Sequence, residues 1–231
     1  METKRKISLN TVILEGIKIG MENALSLIGA SILYIITIWI PYINVGTTIA
    51  MASIPIILSK GEKISATFIF DAKYRKYLGE FFTLMGLMYI AIIPALFFLV
   101  VPGFIIAIGW SLALYILLDK NLTPGEALVY SNKATYGYKW TIFGVRFLLV
   151  LAAVLLSGLL SLFGIIGSIL SSLVMIFLAI SIIGCNTVIY KKLVLTDYTE
   201  EETIITDIKT DSEETITVEV NQTVEDENKE E

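Results

Sequence analysis

The chain has 231 residues, 55% of them apolar, with a mean hydropathy of +0.77 and a net charge of −5. So large an apolar share exceeds what a water-soluble globule carries, and lipid is read as the main solvent. There is no histidine, which removes the commonest general base, metal ligand and catalytic-triad member, and a single cysteine excludes an intramolecular disulfide.

The charge divides unevenly along the chain. Residues 1–196 hold 15 Lys and Arg against 8 Asp and Glu, a balance of +7, and residues 197–231 hold 2 against 14, a balance of −12. A basic membrane domain therefore carries an acidic tail. The first ten residues, METKRKISLN, are basic, but Glu15 and Lys18 interrupt the apolar positions that follow, so no cleaved signal peptide is expected. From Ser8, a residue able to cap a helix, Leu9, Val12, Ile13, Ile17 and Met21 fall on one face with Glu15 and Lys18 off it. Gly16, Gly20 and Ala24 recur every four residues, as do Ala107 and Ser111, which lets helices approach closely. Internal packing is the reading preferred over dimerisation.

Three stretches then carry no charge at all: 23–59, 81–118 and 147–190, of 37, 38 and 44 residues. Each is about twice the roughly 20 residues needed to span a bilayer. Each also holds a helix breaker near its middle: Pro41, then Pro102 with Gly103, then Gly164 with Gly167. Each stretch is thus predicted to be a hairpin of two helices, with spans near 23–40, 44–59, 81–101, 104–119, 141–162 and 165–190. The 15 basic residues all lie outside the three breaks, so the positive-inside rule puts the charged segments and both termini in the cytoplasm and the turns outside. The second and fourth spans are short, and re-entrant hairpins are the alternative there.

The breaks at Pro41, Pro102 and Gly164 are 61 and 62 residues apart, and the segments before the hairpins begin at Ser8, Ser65 and Thr123, 57 and 58 apart. A pseudo-threefold repeat is predicted, over about 8–60, 65–120 and 123–192, each an interfacial amphipathic helix followed by a hairpin. The second amphipathic segment mixes Phe68, Ala72 and Leu78 with Asp71, Lys73, Arg75 and Lys76. In the third, Thr123, Pro124 and Glu126 form a capping-box helix start, and Ala127, Leu128, Ser131 and Thr135 share a side.

Residues 123–143, TPGEALVYSNKATYGYKWTIF, resemble a signature of bacterial multipass membrane proteins, among them the membrane domains fused to glycerophosphodiester phosphodiesterases. The matching positions are Glu126, Ala127, Leu128, Ser131, Thr135, Gly137, Trp140 and Phe143, and Lys139 fits the basic residue that often follows the glycine. The resemblance implies architecture and lends no catalytic residue, since the chain has neither room for a phosphodiesterase barrel nor its histidines.

Within the uncharged stretches, Ser31, Thr37, Ser53, Ser111, Ser157, Ser161, Ser168, Ser171, Ser172, Ser181 and Asn186 are read as packing groups, a translocation path being the alternative. Pro55 and Pro94 are read as kinks and Cys185 as a small buried hydrophobe. Arg146 is read as snorkelling to the inner interface, or as half of a buried pair with Glu80 or Asp119. Lys63, Lys73, Arg75, Lys76, Lys133, Lys139 and Arg146 are the candidate lipid-headgroup contacts, with Tyr74, Tyr77, Tyr138 and Trp140 as interfacial anchors. Residues 197–231 are read as a mostly disordered cytoplasmic tail able to recruit a protein partner, with weak strand pairing of TIITDI and TITVEV as the alternative.

The resulting expectation is an all-α, six-segment protein of a bacterial cytoplasmic membrane, non-enzymatic, binding anionic lipid and no nucleic acid. No catalytic residue, metal or cofactor is assigned. Its role is that of a scaffold or accessory subunit at the cytoplasmic face, and a small permease or lipid-translocating protein is the runner-up.

Overall fold

In the computed structural model, residues 7–196 are described, and every regular element among them is helical. The readings of the tail fall outside the described residues. In chain order the elements are α1 (Leu9–Glu22), α2 (Ala24–Thr37), α3 (Pro41–Ser59), two 3-10 turns (Ala66–Phe70 and Ala72–Tyr77), α4 (Leu78–Phe98), α5 (Val100–Gly109), α6 (Ala113–Lys120), α7 (Pro124–Ala134), α8 (Lys139–Ser161), α9 (Gly164–Tyr190) and a π-helical turn (Lys191–Leu195). Among the described residues, five helical stretches are long and apolar enough to cross a bilayer, and α1 with α2, bent by 73°, makes a sixth as a pair.

Local chemistry explains most boundaries. Ser8 caps α1 by accepting from the Thr11 N–H, and Pro41 opens α3 at a position where its missing N–H costs nothing. α3 and α4 continue through Pro55 and Pro94 without ending. Gly164, at φ 62°, makes the left-handed turn that lets α9 fold back beside α8.

The segment 66–77 departs from the expected interfacial α-helix. Asp71 takes an extended conformation and accepts from the Lys73 N–H, competing with helix hydrogen bonding and dividing the segment into two 3-10 turns. The expected single helix over 104–119 is likewise two, α5 and α6, separated at Trp110–Leu112, and the break expected at Pro102–Gly103 lies at Leu99 instead, with Pro102 in the first turn of α5, where its missing N–H costs nothing.

Buried apolar residues cluster at one end of the helices. There α3, α6 and α9 converge: the Asp119 carboxylate takes an ion pair from Lys60 of the α3 C-cap and a hydrogen bond of 2.7 Å from the Tyr190 hydroxyl. Tyr190 also meets Tyr115 edge to face at 5.9 Å. α1 lies antiparallel along the last turns of α9, where Gly16 faces Cys185 and Gly184, and Gly20 faces Ile180. A Cβ at Gly184 would overlap the Gly16 carbonyl, so bare backbone on both helices sets their separation. The glycine stripe thus makes an internal contact.

The opposite ends are apolar and bare. Trp39 is 86% exposed at the α2–α3 turn and Phe97 88% at the α4–α5 turn, with Phe163 and Ile165 exposed at the α8–α9 turn. Exposed apolar surface on this scale marks contact with lipid or with another apolar body.

Candidate functional site

The residues of 123–143 come together around the break between α5 and α6. The Thr123 hydroxyl and Glu126 carboxylate close the capping box that starts α7, and both Thr123 donors fall on Glu126 Oε2, at 2.7 and 3.0 Å. Those hydrogen bonds, the hydroxyl first, hold the Glu126 carboxyl below the usual carboxylate range. With its start fixed, α7 buries Ala127, Leu128, Ser131 and Ala134.

Ser131 and Thr135, both fully buried, supply the hydrogen bonds that the broken helix lacks. The Ser131 hydroxyl donates to the Gly109 carbonyl at 2.7 Å and accepts from the Leu112 N–H at 3.2 Å, and the Thr135 hydroxyl donates to the same carbonyl at 3.1 Å. A break inside an apolar segment would otherwise leave backbone groups unpaired in a low-dielectric medium. Two hydroxyls four residues apart on α7 therefore set where α5 ends and α6 begins.

Beyond Thr135 the chain turns at Gly137, φ 82°, and enters α8. Lys139 is brought back over Gly109, with its ammonium 2.8 Å from the Asn132 side-chain oxygen. Val101, Phe104, Ile105 and Ile108 of α5 then face Tyr136, Lys139, Trp140 and Phe143 across a groove of about 460 Å³. Trp140 meets Phe143 edge to face at 6.1 Å, and Phe143 stacks on Phe147 at 5.6 Å. The result is a mainly apolar trough with one cation, Lys139, in its lining.

The other candidate residues divide into two groups. Lys73 and Lys76 line a second, polar pocket of about 270 Å³ with Lys60, Tyr74, Tyr77 and Asp119. Lys73 pairs with Asp71 at 3.1 Å and lies over the Tyr74 ring, and Lys76 lies over the Tyr77 ring at 4.7 Å. Hydrogen bonding to the Lys73 backbone and ammonium holds the Asp71 carboxyl below its usual range. Arg75 packs its aliphatic stem on Gly46. Lys63 and Lys133 are exposed and line neither pocket.

Arg146 is half-buried, and its guanidinium donates to the Asn186 side chain at 3.0 Å. Of the two partners expected from sequence, Asp119 is held by Lys60 and Tyr190, and Glu80 is exposed at the start of α4. Lys60 and Tyr190 were not singled out from the sequence, although a readable signal exists. Each second hairpin arm ends on a Lys preceded by a polar residue, as Ser59–Lys60, Asp119–Lys120 and Tyr190–Lys191.

Among the described residues, no three of His, Cys, Asp and Glu gather as a metal-ligand group. Comparison of the chain with protein-family models, curated proteins and solved structures gives no match.

Proposed function

We propose that the chain is a non-enzymatic, multipass scaffold of a bacterial cytoplasmic membrane, and that it holds anionic lipid at its cytoplasmic face. The observation carrying this reading is the α5–α8 groove, mainly apolar, with the Lys139 ammonium in its lining bonded to the neutral Asn132. An acyl chain satisfies the apolar walls, and a phosphate replaces water on the ammonium. Lys73, Lys76 and Arg75, which line other pockets, are assigned to the same cytoplasmic side by the positive-inside rule.

The pseudo-threefold arrangement belongs to this proposal. It is supported by the order of packing: the 3-10 segment lies on α2 and α3, α7 on α6, and α1 on α9, so each leading segment packs against the preceding hairpin and the first closes on the last. The likeness to phosphodiesterase-associated membrane domains is retained as a reading of architecture, and the tail as a docking point for a protein partner.

Translocation is the weaker reading because several intramembrane hydroxyls are turned into their own helices, although Ser171 donates across to the Ser157 carbonyl of α8 and the buried Ser111 and Ser157 hydroxyls have no partner among the described residues. Ser31, Ser168, Ser172 and Ser181 each donate to the carbonyl four residues earlier, as packing groups do.

Native mass spectrometry of the full chain, extracted in mild detergent, tests the lipid reading. Retained anionic phospholipid, lost on Lys139→Gln with neutral phospholipid unaffected, is expected. Equal retention of zwitterionic and anionic lipid by both proteins would remove the headgroup assignment.

A further inference from the structure

The depth of the hairpins can be read from where cations touch them. α3 begins at Pro41, and its sixth residue, Gly46, carries the Arg75 stem: a Cβ built there would sit 3.1 Å from Arg75 Cγ. α5 has 10 residues, and a Cβ at its last, Gly109, would sit 3.1 Å from the Lys139 ammonium itself. Asp71 joins Arg75 in the pocket that Tyr42 and Ile43 line at the start of α3. Charged groups that precede a hairpin thus touch the turn-side half of the second arm of the hairpin before it.

The remaining reach is short. At 1.5 Å per residue, six residues of α3 carry its turn about 9 Å beyond Arg75, and ten residues of α5 carry its turn about 15 Å beyond Lys139. A hydrocarbon core is about 30 Å thick. With Arg75 and Lys139 at headgroup depth, neither turn arrives at the far side.

Side chains at the two turns carry no charge: Trp39, Ile40 and Tyr42 are exposed at the first, and Phe98, Leu99 and Val100, all without a polar group, at the second. Part of the turn backbone is paired within the turns: the Leu99 N–H donates to Ala95 O at 2.8 Å, the Gly103 N–H to Leu99 O at 3.0 Å and the Ile40 N–H to Thr37 O at 3.0 Å. α8 and α9 differ by the same measure: the Arg146 contact on Asn186 lies 23 residues, about 34 Å, along α9 from its turn, whereas α4, 21 residues or about 32 Å long, lies oblique if its turn is to stop short.

We infer that the α2–α3 and α4–α5 turns end inside the leaflet they enter, as two apolar wedges, and that α8 with α9 is the pair that crosses. The partner of these turns is the acyl layer of one leaflet, to which they add cross-section that the other leaflet lacks. This rests on reading the exposed apolar surface as lipid-facing, and it replaces the expectation that all three turns face outward.

Thiol labelling of the full chain in sealed right-side-out and inverted vesicles tests it, with the buried Cys185 of the parent chain setting the background. Ser65→Cys should react with a membrane-impermeant maleimide in one vesicle type only, and Leu162→Cys in the other only. Trp39→Cys and Phe98→Cys should react in neither, yet label after denaturation, and Val101→Cys repeats the second turn. Reaction of Trp39→Cys, Phe98→Cys or Val101→Cys in the vesicles where Leu162→Cys reacts overturns the inference. So does a Leu162→Cys that reacts in neither. Reaction of Ser65→Cys and Leu162→Cys in both vesicle types instead removes the membrane reading itself.

Discussion

Both ends of the helices are rich in large apolar residues, but their surroundings are opposite. Where Lys60, Asp119 and Tyr190 meet, Leu27, Ile54, Ile116, Leu117 and Ile189 are buried, and backbone approaches backbone at Gly16 and Gly184. At the turns, Trp39, Phe97, Phe98, Leu162 and Ile165 touch little protein. One end is a protein core that packs to a fixed shape, and the other is solvated by whatever apolar medium surrounds it. Apolar character alone therefore does not say which side chains hold the fold; close approach and buried hydrogen bonds do.

Substitutions at the two ends should separate sharply. The largest loss is expected from Gly184→Val, because the new side chain meets the Gly16 backbone, which cannot move aside as a flexible side chain would. Overpacking of this kind should lower unfolding stability in detergent by about 3 kcal/mol, whereas Gly158→Val, in open space, should lose little. Equal unfolding midpoints for the two variants would show that α1 is not held against α9.

Asp119→Ala comes next. It strands the Tyr190 hydroxyl and removes the ion partner of Lys60, for about 2 kcal/mol in the same assay, and Tyr190→Phe should lose less because the carboxylate keeps Lys60. A loss from Tyr190→Phe as large as that from Asp119→Ala would point to a different role for the hydroxyl.

Ser131→Ala removes both a donor to Gly109 O and an acceptor for the Leu112 N–H, and should lose about 1–2 kcal/mol. Hydrogen exchange at Leu112 should accelerate in that variant and not in Ser161→Ala; unchanged exchange at Leu112 would show that the break holds without Ser131. Turn substitutions such as Phe97→Ala should stay within about 0.5 kcal/mol in detergent, since Phe97 has little protein contact to lose.

The smallest effect is electrostatic. Hydrogen bonds from Thr123 lower the Glu126 carboxyl in the folded chain, so its contribution is present at neutral pH and is lost as pH falls through the acid carboxylate range. The melting difference between the parent chain and Glu126→Gln should therefore narrow on acidification; a widening gap would reverse the sign.

The sequence exposed most of the helical pieces: interruptions fall beside Pro41 and Gly164, whereas the break expected at Pro102–Gly103 falls at Leu99, with both residues inside α5. The capping box at Thr123 was equally legible, being local. What stayed hidden depends on contacts between distant residues. The break at Trp110–Leu112 carries no proline or glycine of its own beyond Gly109, and it exists where Ser131 and Thr135 can satisfy it from another helix. Asp71 divided the second leading segment through a short-range hydrogen bond that an amphipathic pattern does not register. Re-entrant hairpins were open from the short second and fourth spans, but charge counting places Arg75 and Lys139 only in sequence, and which arm each one touches is a contact between distant residues.

The most direct measurement uses Trp39, one of three tryptophans, alone in the chain after Trp110→Phe and Trp140→Phe. In bilayers its emission should be blue-shifted, quenched by lipids brominated on the acyl chain and shielded from aqueous iodide. Emission like that of indole in water, with iodide quenching unchanged by the bilayer, would contradict the assignment of the bare helix ends to lipid.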